Sequence, residues 1–143
     1  MKVRIESRKG ASAVEFALVL PILLLLFLGI IEFSFLLFNK AVITNAAREG
    51  ARAGIVQRIP RVPPTDIETA VDTYCFNHLI TFGGPTTPTV ETNPSTGCPT
   101  GAYSGADLRV TATFRYNYLA LPHFISGLVG GTELKAEAVM KCE

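Results

Sequence analysis

Residues 16 to 38 read FALVLPILLLLFLGIIEFSFLLF, 23 positions that carry one charge, Glu32. As a helix this run is roughly 34 Å long at about 1.5 Å per residue, which matches or slightly exceeds a bilayer core of about 30 Å. A segment this apolar finds cover only in lipid or in a large core. The flanks supply a direction. Lys2, Arg4, Arg8 and Lys9 stand against one acid, Glu6, on the N-terminal side, while Lys40, Arg48 and Arg52 follow on the other. Arg48 and Arg52 dilute the asymmetry, but it favours a cytoplasmic N-terminus and a C-terminal part outside. The net charge of +1 suggests neither nucleic acid nor a strongly acidic partner.

Glu15 sits immediately before the apolar run, and a carboxylate there is costly unless it has a partner or reaches the interface. Three readings of the segment compete. It is an ordinary single-pass anchor, a secretory signal with a small-residue site at Thr44 and Ala46, or a processed leader and helix. The secretory reading suits the residues least, because its apolar stretch is expected to be about 7 to 15 residues with no acid at its head. The third reading rests on spacing, since Glu15 is the fifth residue after Gly10 and the apolar run follows without a break.

With "VEFALVLP" at the head of the run and "NAAREGARAG" beyond it, residues 8 to about 56 resemble the TadE-like family of Tad pilus pseudopilins, with a class III prepilin N-terminus. Residues 107–143 resemble the family more loosely. The resemblance implies a basic leader, 1–10, cut between Gly10 and Ala11 by a membrane aspartic prepilin peptidase. It implies extraction from the inner membrane by an ATPase-driven platform, and a place in or at the tip of a filament with other pilins, with a role in adhesion. The new α-amine of Ala11 would be protonated near neutral pH. On a neighbouring subunit it could pair with Glu15 and fix the axial register. Snorkelling to the interface is the other role open to Glu15. Pro21 falls inside the helix, lacks an amide donor and is expected to kink it. Glu32 either marks the outer interface or pairs with a cation of a neighbour.

The expected organisation is a transmembrane helix over 11–38, a helical stalk over 39–58 and an extracytoplasmic α+β domain over 59–143. The localisation that follows is the bacterial inner membrane with a periplasmic domain, or the cell exterior after assembly. Along the stalk, Ala46, Gly50 and Gly54 fall on one line and Ala47 and Ala51 on the next, a stripe that permits close helix approach. It packs against the chain's own domain, against another subunit, or both on different stretches. If helical from Ala11 to Val56, the whole element spans roughly 69 Å.

After a proline-marked linker, Thr65 and Glu68 form a T-x-x-E capping pattern. Ile67, Val71, Tyr74 and His78 then share a face, predicting a short helix over about 66–80. Residues 83–106, rich in Thr, Pro, Gly and Ser, read as a long loop in need of a clamp. "DLRVTATFRYNYLAL" and "TELKAEAVMKCE" alternate with period two and predict an antiparallel pair with one buried face, Arg109 and Arg115 facing Glu133 and Glu137. The connection between them, 122–131, is apolar at Phe124, Ile125, Leu128 and Val129. It either tucks under the sheet or stays exposed to neighbours or lipid.

The three cysteines are Cys75, Cys98 and Cys142. In an extracytoplasmic domain disulfides form readily. Cys75–Cys98 is the pairing expected, because it would staple the short helix to the loop, closing a ring worth about 3 kcal/mol. Cys98–Cys142 is its rival. Cys75 and His78 at C-x-x-H spacing, with Cys98 and His123, make a weak metal pattern, and none is expected to bind one. Nor does Cys75 have an evident partner to activate it as a nucleophile. No G-x-S-x-G, P-loop or G-x-G-x-x-G occurs. The chain reads as a structural protein without cofactor, and as a peptidase substrate before an enzyme. The alternative function is a membrane-anchored extracytoplasmic binding module that never assembles.

Overall fold

The apolar run and the small-residue stripe form one helix, α1, Glu6–Ile55, 50 residues long and continuous through Pro21. The computed structural model describes residues 6–82, 84–99, 105–118 and 131–143, with side chains from residue 10 onward. The apolar stretch 122–131, with Phe124, Ile125, Leu128 and Val129, therefore lies outside the described residues except for Gly131. His123 lies outside them as well.

Along α1 the surroundings change at one position. From Gly10 to Ile31 the side chains are exposed or at most half-buried, with Leu23, Leu24, Leu25 and Leu26 all open. From Glu32 on, one face is covered: Glu32, Asn39, Ile43, Ala46, Ala47, Gly50, Ala51 and Gly54 are buried, following helical periodicity.

The cover is a two-layer α+β unit. Helix α2, Pro64–His78, lies against α1 and buries Ile67, Val71 and Cys75. Its start differs from the expected capping box. Pro63 is the N-cap residue, no side chain caps the helix, and Pro64 occupies the first turn, where a missing amide costs nothing. Thr65 is thereby drawn into the helix, where its carbonyl accepts a bond from Thr69 Oγ1.

Three antiparallel strands follow in the order β1-β2-β3: β1 Thr89–Asn93, β2 Asp107–Tyr116 and β3 Thr132–Lys141. The period-two reading of β2 and β3 holds. Leu108, Val110, Ala112, Phe114 and Tyr116 are buried with Leu134, Ala136, Ala138 and Cys142, and the helices lie over that face. Across the polar face Arg109 pairs with Glu137 at 2.6 Å, a diagonal contact, while Arg115 stands directly opposite Glu133 in the register. The strand β1 falls inside the segment expected to be loop. Its side chains alternate only between exposed and half-buried, so it adds an edge without an apolar signature.

Candidate functional site

Two places bear on function: the exposed N-terminal half of α1, and the junction where the domain grips the helix.

On the exposed half, Gly10 and Ala11 lie within α1 and are exposed, and apart from the adjoining helix backbone nothing comes within 4 Å of where a Gly10 side chain would begin. Glu15 lies on the same uncovered stretch. Among the described residues, α1 is the one helix long and apolar enough to cross a membrane, and none of its most apolar window is buried by the domain. The chain's own fold leaves this half of the helix to lipid or to other molecules.

The junction is built from polar contacts set around the first covered turns. The Tyr116 hydroxyl donates to Glu32 Oε1 at 2.6 Å, and Glu32 is only 3% exposed. Burial, then the bond to Glu32 and the charge of that carboxylate, raise the Tyr116 pKa well above the usual phenol range. The phenol thus stays a donor. The sequence leaves Glu32 to mark the outer interface or to pair with a cation of a neighbour, and this bond to Tyr116 is an additional contact that neither expectation names. A tyrosine of the same chain, 84 positions away, reaches it. No local pattern could show that, because a partner at such separation is chosen by the sheet's placement.

Two turns further on, Asn39 works in both directions on one peptide unit. Its Nδ2 donates to the Ile80 carbonyl at 2.8 Å and its Oδ1 accepts from the Ile80 amide at 3.0 Å. Asn39 is fully buried, so both halves of its amide need such partners. Phe35 meets Phe82 edge to face at 5.4 Å, and Tyr116 meets Tyr118 likewise at 5.6 Å. Tyr118 bonds Thr132, and Lys40 Nζ donates to the Lys135 carbonyl, tying β3 to the helix at that height.

Higher on α1 the small-residue stripe proves to be a seat for the chain's own domain. A Cβ on Gly50 would stand 2.4 Å from Val71 Cγ2, and one on Gly54 would stand 2.5 Å from Leu108 Cδ2 and 2.7 Å from Ile67 Cδ1. Ala46, Ala47 and Ala51 are buried in the same core. Close approach of α2 and β2 requires hydrogen where any larger group would collide. A secretory cut near Ala46 would sever Glu32, Asn39 and Ile43 from this core, which sets that reading against the fold.

The disulfide corrects the expected pairing. Cys98 and Cys142 are joined, with Cα atoms 5.9 Å apart, and Cys75 is a buried free thiol. The reason lies in α2: Cys75 shares a face with Ile67 and Val71 and points at α1, away from the loop. The residue at the end of β3 meets Cys98 instead, and the ring closed spans 44 positions. Burial, helped by the Asp72 carboxylate, pushes the Cys75 thiol up to about 11, so it is a poor nucleophile. His78 stacks on Tyr74 at 4.4 Å and donates from Nδ1 to the Tyr74 carbonyl at 2.8 Å. Among the described residues no three metal-ligating side chains cluster.

A long helix, bare and apolar over its first half and bearing a small α+β domain on its second, is the arrangement of a single-pass membrane anchor by length and composition. Residues 10–52 match the family model described as TadE-like protein, the family that the N-terminal segment resembles. The match covers the bare half of α1 and nearly all of the covered half, and stops before α2 and the sheet. No curated protein and no solved structure matches the chain significantly.

Proposed function

We propose that this protein is a minor pseudopilin of a Tad-type pilus assembly system, with a structural role in starting the filament or capping its tip. Its helix crosses the inner membrane with the N-terminus cytoplasmic and the α+β domain periplasmic. A prepilin peptidase cuts between Gly10 and Ala11. The mature helix then packs against other pilins of the system, Glu15 pairing with a neighbour's new α-amine, and the platform draws the subunit out of the membrane. The observation that carries this reading is the bare half of α1, which holds Gly10, Ala11 and Glu15 at the pilin spacing and receives no cover from its own domain. The disulfide supports a domain outside the cytoplasm, where such bonds persist.

N-terminal sequencing of membrane-extracted protein, from cells with an active prepilin peptidase, tests the first step. A mature start at Ala11 is expected, and retention of residues 1–10 would overturn it. Glu15→Gln is expected to leave cleavage intact and to abolish co-purification with partner pilins. Undiminished co-purification would remove the pairing role and favour an anchored module that does not assemble.

A further inference from the structure

We propose that the base of the α+β domain is itself a membrane-contacting surface, in which Phe33, Leu37 and Phe38 of α1 and Phe82 of the domain lie in the outer headgroup layer. This rests on the reading of α1 as a membrane span. A hydrocarbon core of about 30 Å takes about 20 helical residues. Started at Ala11, it ends near Ile30. Started at Phe16, just past Glu15, it ends near Phe35. In either placement the outer boundary falls within about one turn of Glu32, and that is where the domain begins.

The domain does not stand off on a stalk at this level. Tyr116 reaches Glu32, and the Phe82 ring sits against Phe35. Large apolar side chains face outward there: Phe33 is 61% exposed, Leu37 51%, Phe38 46% and Phe82 44%, with exposed Arg115 and Asn117 lying beside Phe82, where a headgroup layer accommodates polar tips. The one acid in this stretch is removed from the surface, since Glu32 is buried under Tyr116. Past Glu15, α1 therefore shows no charge on its surface until Lys40, whose ammonium is drawn to the Lys135 carbonyl at the lower part of β3. The patch is thus continuous with the apolar surface of the span, and Lys40, Arg115 and Asn117 supply polar groups at its edge. Lipid is the occupant that continuity selects, because any bilayer covering the span reaches these residues without a new contact. Aromatic side chains at the headgroup level are the usual form of such a contact. Its consequence is that the domain has one face toward the membrane and a set tilt, as long as the subunit remains there.

The sequence contains no tryptophan, so a single introduced indole reports alone. The full chain, oxidised and reconstituted in phosphatidylcholine vesicles, would carry Phe82→Trp, Phe38→Trp, Leu25→Trp or Phe76→Trp. Bromine would be placed near the headgroup end or near the methyl end of the acyl chains. Leu25→Trp, in the span, is expected to be quenched most by the deep bromine. Phe82→Trp and Phe38→Trp are expected to be quenched by the shallow bromine, several-fold more than Phe76→Trp on the outer surface of α2. Phe82→Trp and Phe38→Trp behaving like Phe76→Trp, with Leu25→Trp quenched, would overturn the surface and leave the span standing. Blue-shifted emission at Phe82→Trp and Phe38→Trp that bromine does not quench would mean a protein partner, a second copy included, and would also overturn it. An unquenched Leu25→Trp would sink the span and the surface together.

Discussion

The two halves of α1 have the same backbone and opposite surroundings. From Phe16 to Ile31 the helix is apolar on every side and none of its side chains is buried by the domain; from Glu32 to Ile55 it is a two-faced helix, its buried face carrying two glycines and three alanines. A helix that is apolar all round needs an apolar surrounding, whereas an amphipathic one needs a single partner face. The first half is therefore completed by something outside the chain and the second by the chain's own sheet and α2. Stability of the folded unit should then depend on the second half and be nearly indifferent to side chains in the first.

The sharpest way to break that contrast is to open the disulfide. The chain-entropy model gives about 4 kcal/mol for a ring of 44 positions. Cys98→Ser with Cys142→Ser, followed by urea denaturation in detergent micelles, should cost about that much. Helicity from the apolar half should survive the transition, as seen by circular dichroism. Loss of all helicity in one step would mean the halves are not independent.

Next is a pair of truncations. Ile67→Ala removes a fully buried side chain packed on Gly50 and Gly54, and is expected to cost about 3 kcal/mol. Leu25→Ala, on the bare half, should shift the same urea midpoint by less than about 0.5 kcal/mol. Comparable losses would contradict the division.

The junction itself is tested by Tyr116→Phe, which removes one donor from Glu32 and is expected to cost about 1 to 2 kcal/mol, again by urea midpoint. Alkaline pH probes the core from another side. The folded Cys75 thiol titrates at about 11 against an ordinary 9.0, so the unfolded form loses its proton first. Above the unfolded value the folded chain binds more protons than the unfolded one, and stability falls as pH rises through that window. Tyr116, also raised, acts with the same sign at higher pH. A stability profile by urea midpoint should be flat near neutrality and decline from about pH 9, and Cys75→Ala should flatten the early part of the decline. The smallest effect belongs to the sheet's outer face. Arg109→Ala breaks a half-exposed pair with Glu137 and should cost under about 1 kcal/mol, less in high salt.

Much of this could be read along the chain because its signals are local. A 23-residue apolar run needs no tertiary information to be seen as a helix bound for lipid, and the alternation in β2 and β3 announces which side is buried. The short helix was equally legible from Ile67 and Val71, though its first residue was not: the capping pattern at Thr65 lost to Pro64, whose fixed backbone suits the first turn. The edge strand β1 escaped because TVETN carries one apolar side chain, and its pairing with β2 is made by backbone bonds that leave no mark on composition.

Hydrophobic periodicity thus specified the elements and their buried faces, because each side chain's preference for water or oil is expressed within a few residues of itself. The partners were settled only when the elements met. Whether Ala46, Gly50 and Gly54 would serve the chain's own domain or another subunit, which cysteine would take Cys98, and what Glu32 would hold all depended on distances between residues on different elements, up to 84 positions apart. Such distances are products of the sheet's register and of how closely α2 can approach two glycines, and the chain carries no local record of them.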